Sequence, residues 1–359
     1  MKEISRLGLD LAKTVFQVHG VNAQEQVVLR RSLRRGQMLD WFGKLAPCLI
    51  GMEACASAHY WARELTRLGH TVRLIPPSYV KAYVRRNKND AADAAAICEA
   101  VSRPSMRFVA PKTEAQQAAA GIHRVREALI KQHTATMNSL RGLIGEFGIV
   151  APKGNKGMDA LRAIVADPED TRIPDPLRTG LAVFAKMLDA LEIQLGKIDQ
   201  ALAAWSRTDQ SSRHLLTIPG FGPVTATAVA ARVTDPKAFD SGRHFAASLG
   251  IVPRQDGTGG KVKLGPISKR GDGYLRKLLV NGAMSVLRSK QAQQDPWLKK
   301  LLVNKPMKLV AVALANKNAR IGWATLAKVP IDRLRSVGMP EEGLLIRQED
   351  FRPRQPAGA

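Results

Sequence analysis

An α/β domain followed by a mostly helical half is the architecture this chain predicts, on three observations. Through roughly the first hundred residues, short aliphatic and β-branched runs alternate with amphipathic stretches, the pattern of strands interleaved with helices. From about Thr113 the strand signals give way to long helical periodicities. Within that helical part, Leu181, Phe184, Leu188, Leu191, Leu195, Ile198, Leu202 and Trp205 keep a three–four spacing without a slip, the seam of a coiled coil or helical hairpin.

Taken in order, strands are expected at Arg6–Leu9, Val15–Val21 and Val27–Leu29, with Gly20 and Asn22 as turn residues between the last two. A helix over Gln37–Leu45 leads to a strand at Leu49–Met52. A second helix, Ala58–Leu68, stops at Gly69, and a strand at Thr71–Ile75 is closed by Pro76-Pro77. Three strands, a helix, a strand, a helix and a strand is the order of an RNase-H-like α/β sheet, although many α/β domains share parts of it. An alanine-rich helix then opens near Asp90.

Beyond Thr113 a helical segment reaches Phe147, punctuated by Arg124, Arg126, Lys131, His133 and Arg141. Pro152, Gly154, Gly157, Pro168, Pro174 and Pro176 mark a looser stretch, read as a hinge or helical turn region. The seam that follows fits an intramolecular hairpin with the earlier helix and an oligomer contact equally well. A second compact domain runs from about Ser212 to Leu326, and a polar tail with Pro340, Pro353 and Pro356 comes after it. The expected organisation is therefore an α/β domain over 1–112, a helical coiled-coil region over 113–211, a mostly helical domain over 212–330 and a tail over 331–359.

Composition narrows the partners. With 45% hydrophobic residues the chain can bury real cores, so it is not a disordered basic tail. Lys+Arg 55 against Asp+Glu 31 gives a formal charge of +24, which points to a polyanion bound largely independently of sequence. A membrane surface is the competing polyanion, but no apolar stretch approaches the ~20 residues needed to span a bilayer. The opening Met1-Lys2-Glu3-Ile4 leads into a strand rather than an apolar leader, which fits a cytoplasmic protein. Cys48, Cys55 and Cys98 are odd in number and lack CxxC spacing, so they fit reduced thiols better than disulfides or zinc ligands.

Acids gathered on such a basic chain are costly unless cations neutralise them. Asp10 and Glu53 each close an apolar strand, Ile4–Asp10 and Cys48–Glu53, while Asp90 and Asp93 project from one face of the alanine-rich helix. Each alone reads as a surface acid or a helix cap; together they read as a magnesium site of the kind that activates and stabilises oxygens in phosphodiester chemistry. In the second half, Leu216–Thr227 looks like a helix-hairpin-helix turn, with Gly220 and Gly222 allowing close approach to phosphate, or like an ordinary Gly-Pro turn between helices. The segment Gly250–Gly271 combines glycines, hydroxyls (Thr258, Ser268) and cations (Lys261, Lys263, Lys269, Arg270). It suits a nucleophile or phosphate contacts, while composition alone favours a flexible basic loop. Arg276 and Lys277 continue the basic character on the next helix, and aromatics at 5% leave base stacking a minor theme.

The order of Gly8-Leu9-Asp10-Leu11-Ala12-Lys13, Met52-Glu53-Ala54-Cys55, Lys88-Asn89-Asp90-Ala91-Ala92-Asp93-Ala94, Ile218-Pro219-Gly220-Phe221-Gly222 and Ile267-Ser268-Lys269-Arg270-Gly271 resembles, nearly end to end, the DEDD transposases of the IS110 family, particularly the IS1111 branch. The resemblance implies a RuvC-like DEDD domain joined through a coiled coil to a transposase domain. It further implies a recombinase guided by a structured bridge RNA whose loops pair with donor and target DNA, assembled as a dimer of dimers. By that carry-over Asp10, Glu53, Asp90 and Asp93 bind magnesium, and a hydroxyl of the transposase domain attacks DNA to form a covalent intermediate. The family pattern has a serine before a glycine at the place where this chain reads Gly257-Thr258-Gly259, so Thr258 takes the nucleophile's position. Ser268 falls instead in a separate Ser-Lys motif suited to nucleic-acid contact. Two other readings stand beside this one: a metal-dependent junction nuclease that uses water, and a non-catalytic nucleic-acid-binding relative.

Overall fold

The computed structural model describes residues 3–83, 90–259 and 261–327. The expected tail and the Lys88-Asn89 part of one motif lie outside the described residues. The chain divides into two compact units, one of residues up to Gln117 together with Val233–Asp240, the other of Ala118–Arg232 with the residues from Ser241 onward.

The first unit contains β1 (Arg6–Asp10), β2 (Val15–Val21), β3 (Val27–Arg34), α1 (Met38–Gly43), β4 (Leu49–Glu53), α2 (Ala58–Arg67), β5 (Thr71–Ile75), α3 (Pro77–Val80) and α4 (Asp90–Ala100). The expected element order is found, with β3 running on to Arg34 because its outer half pairs with Val15–Gln17. The sheet order is β3-β2-β1-β4-β5; β1 to β3 form an antiparallel meander, and β4 and β5 run parallel to β1. Strand alternation sends Leu7, Leu9, Phe16, Val18, Leu33, Ile50 and Met52 to one face, where α1 and α2 cover them with Met38, Phe42, Trp61 and Leu65. Opposite them, Ile97 of α4 and Val101, just past its end, pack with Ile75 and Leu49.

The second unit continues with α5 (Glu114–Gly145), α6 (Asn155–Ala166), α7 (Asp175–Thr208), α8 (Gln210–Leu215), α9 (Pro223–Arg232), α10 (Gly242–Ser248), β6 (Pro253–Thr258), β7 (Lys261–Ile267), α11 (Gly273–Leu287), α12 (Pro296–Asn304) and α13 (Met307–Leu326). The apolar seam on α7 packs within the chain. Leu181 and Leu188 share a core with Leu140 and Ile144 of α5 and Met158, Leu161 and Val165 of α6. The pairs Arg126–Asp199 and His133–Glu192 run in opposite senses along the two sequences, so α5 and α7 are antiparallel neighbours. Two expectations are corrected here. The stretch read as a hinge or helical turn region is more than a turn: it holds a three-turn helix, α6, whose Met158, Leu161 and Val165 fall on one buried face. The segment read as a flexible basic loop is a two-stranded antiparallel hairpin, β6–β7, in which Thr258 pairs with Lys261 and Asp256 with Lys263. Among the described residues no helix is long and apolar enough to cross a membrane.

Candidate metal centre

The carboxylates are placed by a helix seated on glycines. Gly8 of β1 and Gly51 of β4 stand side by side in the parallel ladder, on the face opposite Leu7, Leu9, Ile50 and Met52. A Cβ on Gly8 would lie 2.0 Å from the Ala94 carbonyl oxygen and 2.4 Å from the Cys98 nitrogen, and one on Gly51 would lie 2.7 Å from the Val101 Cβ. Only strands without side chains at those two positions let α4 approach so closely. Two residues further along each strand, on the same face, stand Asp10 and Glu53, so seating the helix sets its first turn over the strand ends.

Asp10, Asp90 and Asp93 each offer a carboxylate oxygen, and these oxygens all lie within 4.8 Å of one another. Glu53 falls outside that trio, yet close enough for its charge to act on Asp10. Burial, then the charges of Asp93, Asp90 and Glu53, push the Asp10 carboxyl up to about 6, against a backbone hydrogen bond from Leu11 that pulls it down. Among the described residues none of the four carboxylates forms an ion pair. The repulsion is thus answered by no described side chain of the unit, the condition under which a cation binds. Cys55 lies half-buried close by, and burial together with Glu53 and Asp10 raises its thiol. It therefore stays neutral at neutral pH, leaving a donor set of carboxylate oxygens alone, which fits a hard cation such as magnesium rather than zinc.

The other expected site residues belong to the second unit and split by role. Thr258, Lys261, Lys263, Lys269, Arg270 and Lys277 are exposed. Ser268 is half-buried, its backbone N–H donating to the Val252 carbonyl at 2.9 Å. Lys269 adopts a left-handed backbone (φ 54°), and its N–H donates to Gly250. Gly271 cannot carry a side chain, because a Cβ there would meet the Ser248 carbonyl oxygen at 1.7 Å. The Arg276 guanidinium is engaged within the fold, Nη1 donating to the carbonyls of Leu249 at 2.8 Å and Arg270 at 3.2 Å. Gly220 serves packing as well: its φ is 87°, and a Cβ would lie 2.9 Å from the Gly282 carbonyl of α11. Gly222 is exposed with nothing within 4 Å of a notional Cβ, directly before α9.

Sequence reasoning missed one feature behind this loop. His123 of α5 is fully buried, with Nδ1 3.0 Å from the Tyr274 hydroxyl and Nε2 3.1 Å from Thr227 Oγ1. Thr227 donates its proton to the Pro223 carbonyl at 2.7 Å, so it accepts from Nε2–H, and Nδ1 accepts from Tyr274. Burial, with Arg232 and Arg126 nearby, pulls the imidazole down to about 4 and keeps it neutral. Arg232 pairs with Asp272, which accepts from the backbone N–H groups of Tyr274 and Leu275 and so caps α11. The network fixes the start of α11, and with it the end of the Ser268–Gly271 segment.

Comparison with known proteins adds to this geometry. A family model for DEDD transposases of the IS110 type, described as transposase, matches residues 7–148. A second, described as transposase of the IS116/IS110/IS902 family, matches residues 212–300. A probable family 20 transposase of Pseudomonas aeruginosa is 52% identical over 90% of this chain and 97% of its own length. The transposase for insertion sequence element IS1328 of Yersinia enterocolitica is 40% identical over 90% of this chain and 97% of its own, and that for IS1111A of Coxiella burnetii is 39% identical over 91% of each.

Proposed function

This chain belongs to the IS110 family of DEDD transposases, and from that membership we propose an RNA-guided, magnesium-dependent DNA recombinase that works through a covalent protein–DNA intermediate. The observation that carries the reading is the convergence of Asp10, Asp90 and Asp93 within 4.8 Å at a strand end, with Glu53 beside them. These four residues would hold magnesium, which when bound supplies Lewis-acid activation of a phosphodiester oxygen. Thr258 Oγ1 is the nucleophile. Its bond to phosphorus forms as a phosphorus–deoxyribose oxygen bond breaks, and the proton given up by the hydroxyl balances the one gained by the leaving oxygen. Lys261 and Lys263, exposed on the strand that pairs with Thr258, offset the charge of the phosphates flanking the attacked one. Gly220, Gly222, Ser268, Lys269, Arg270, Arg276 and Lys277 complete the nucleic-acid face, with Gly220 and Arg276 acting by shaping it.

The partners in this reading are donor and target duplex DNA, a structured bridge RNA and further copies of the chain in a dimer of dimers, within the bacterial cytoplasm at the nucleoid. A net charge of +24 supports polyanionic partners of both kinds. Incubating the protein with guide RNA and both DNAs, then denaturing, tests the reading. A protein–DNA adduct is expected, lost in Thr258→Ala and in Asp10→Asn with nucleic-acid binding retained. The threonine at this position favours one second reading, a junction nuclease using water; cleavage that survives Thr258→Ala without any adduct establishes that instead.

A further inference from the structure

The sheet face that carries Asp10 also forms one wall of a cleft. Helix α4 turns Ala91, Ala92 and Ala95 toward β2 and β3, against Gln17, His19 and Arg30, and encloses about 250 Å³ there. A larger space of about 660 Å³ shares His19, Arg30, Ala92 and Ala95 with it and runs on past Arg6 and Arg103. Together they lie in the size range of small-ligand sites.

The cleft begins beside the carboxylates. Ala91 and Ala92 stand between Asp90 and Asp93 in sequence, and Gln17 is the ladder partner of Asp10. Its cations are not alike. Arg6 is paired with Glu25, Arg103 with Glu99, and Arg31, which also lines the smaller space, lies over the Trp41 ring, whereas Arg30 has neither an acidic partner nor a ring partner among the described residues. Arg30 stands opposite His19 in the ladder, and burial with the Arg30 charge holds that imidazole below its usual value, so it adds no charge of its own at neutral pH. From β1 to β3 is two strand spacings, roughly 10 Å, a distance that neighbouring phosphates of one strand can span. Alanine side chains carry no hydrogen-bonding group and take little room, which suits the sugar and base of a strand whose phosphate is held from the opposite wall.

We infer that this cleft receives the DNA strand running on from the carboxylates, with Arg30 gripping a phosphate close to the one that reacts. The inference rests on the recombinase reading above and adds to it the path of the strand and its anchoring residue.

The full-length protein is titrated, in calcium to prevent turnover, with fluorescein-labelled single-stranded DNA and RNA of one sequence across a salt series. Arg30→Gln is expected to lessen the slope of log affinity against log salt for DNA by about 0.7, one lost single-strand phosphate contact. Arg30→Lys restores the DNA slope. Ala95→Leu, checked for folding by circular dichroism, weakens DNA binding severalfold with the slope intact, because it narrows the cleft without removing charge. An unaltered DNA slope in Arg30→Gln overturns the inference, and so does a loss confined to RNA. A wild-type chain that binds no DNA at all sinks both the inference and the reading beneath it, so the two failures are told apart.

Discussion

The carboxylate centre and the Thr258 hairpin are built in opposite ways. Asp10 and Glu53 end strands buried within a five-stranded sheet, and Asp90 and Asp93 ride on a helix locked into place by Gly8 and Gly51. Thr258 and its lysines sit on a two-stranded hairpin whose first strand is exposed along its whole length. Ligands of a small cation must converge within tenths of an ångström, which rigid packed elements achieve. A group that meets a large, deformable polyanion is better carried on an exposed, adaptable element. The contrast predicts that mutations in the first region act through geometry and those in the second through reach and charge.

The largest effect expected is at the carboxylates. Asp10→Asn or Glu53→Gln lowers recombination by about 10³-fold or more, several kcal/mol of lost transition-state stabilisation, while DNA and RNA affinity stay near wild type. Equal activity in either variant breaks the comparison, because the rigid region would then not be the chemical one. Next comes the helix seat. Gly8→Ala forces α4 outward and costs about 1–3 kcal/mol or more, seen as a melting temperature lower by several degrees and as lost activity although no acid is changed. Wild-type stability and activity in the Gly8→Ala variant would show that close seating does not set the acid positions.

The third effect belongs to the network behind the hairpin. Folding holds His123 neutral with its pKa drawn from 6.5 to about 4, so the stability this gives is full above pH 6.5 and is lost as pH falls toward 4. Chemical denaturation should register a decline on the order of 2–3 kcal/mol across that window. The decline flattens in His123→Gln; a decline of the same size in that variant removes His123 as its source. Smallest are the hairpin cations. Lys261→Gln and Lys263→Gln each reduce the salt slope of duplex binding by about 0.9 with cleavage chemistry little changed. A loss of activity far beyond the loss of binding would mean that the hairpin is a geometric device like the sheet.

The same contrast governs what the sequence disclosed. The strands were legible because Leu7, Leu9, Ile50 and Met52 are buried on one face and leave an aliphatic signature, and an acid closing such a run stands out. The hairpin was not, because β6 has no buried face and its Pro253, Gly257 and Thr258 carry no alternation to read. α6 was hidden by Pro152, Gly154 and Gly157, which resemble a loop until the Met158, Leu161 and Val165 stripe is seen to meet a partner. His123 stands among arginines that suggest a solvated helix face, and nothing local says that Thr227 and Tyr274, far along the chain, close over it. Arg276 was expected at nucleic acid because charge is visible in a sequence whereas the carbonyls it satisfies are not. The glycine pair was in view all along within the motif at Gly8 and beside Glu53, but its meaning depends on strand register, which pairing alone reveals.

A hard-cation site at the carboxylates is measured most directly by manganese titration followed by electron paramagnetic resonance. Saturable binding to the wild-type chain is expected at pH 7.5, with oxygen-only coordination, abolished by Asp10→Asn and unaffected by Cys55→Ser. Binding that persists undiminished in Asp10→Asn, or a wild-type chain that takes up no manganese, would contradict a hard-cation site there.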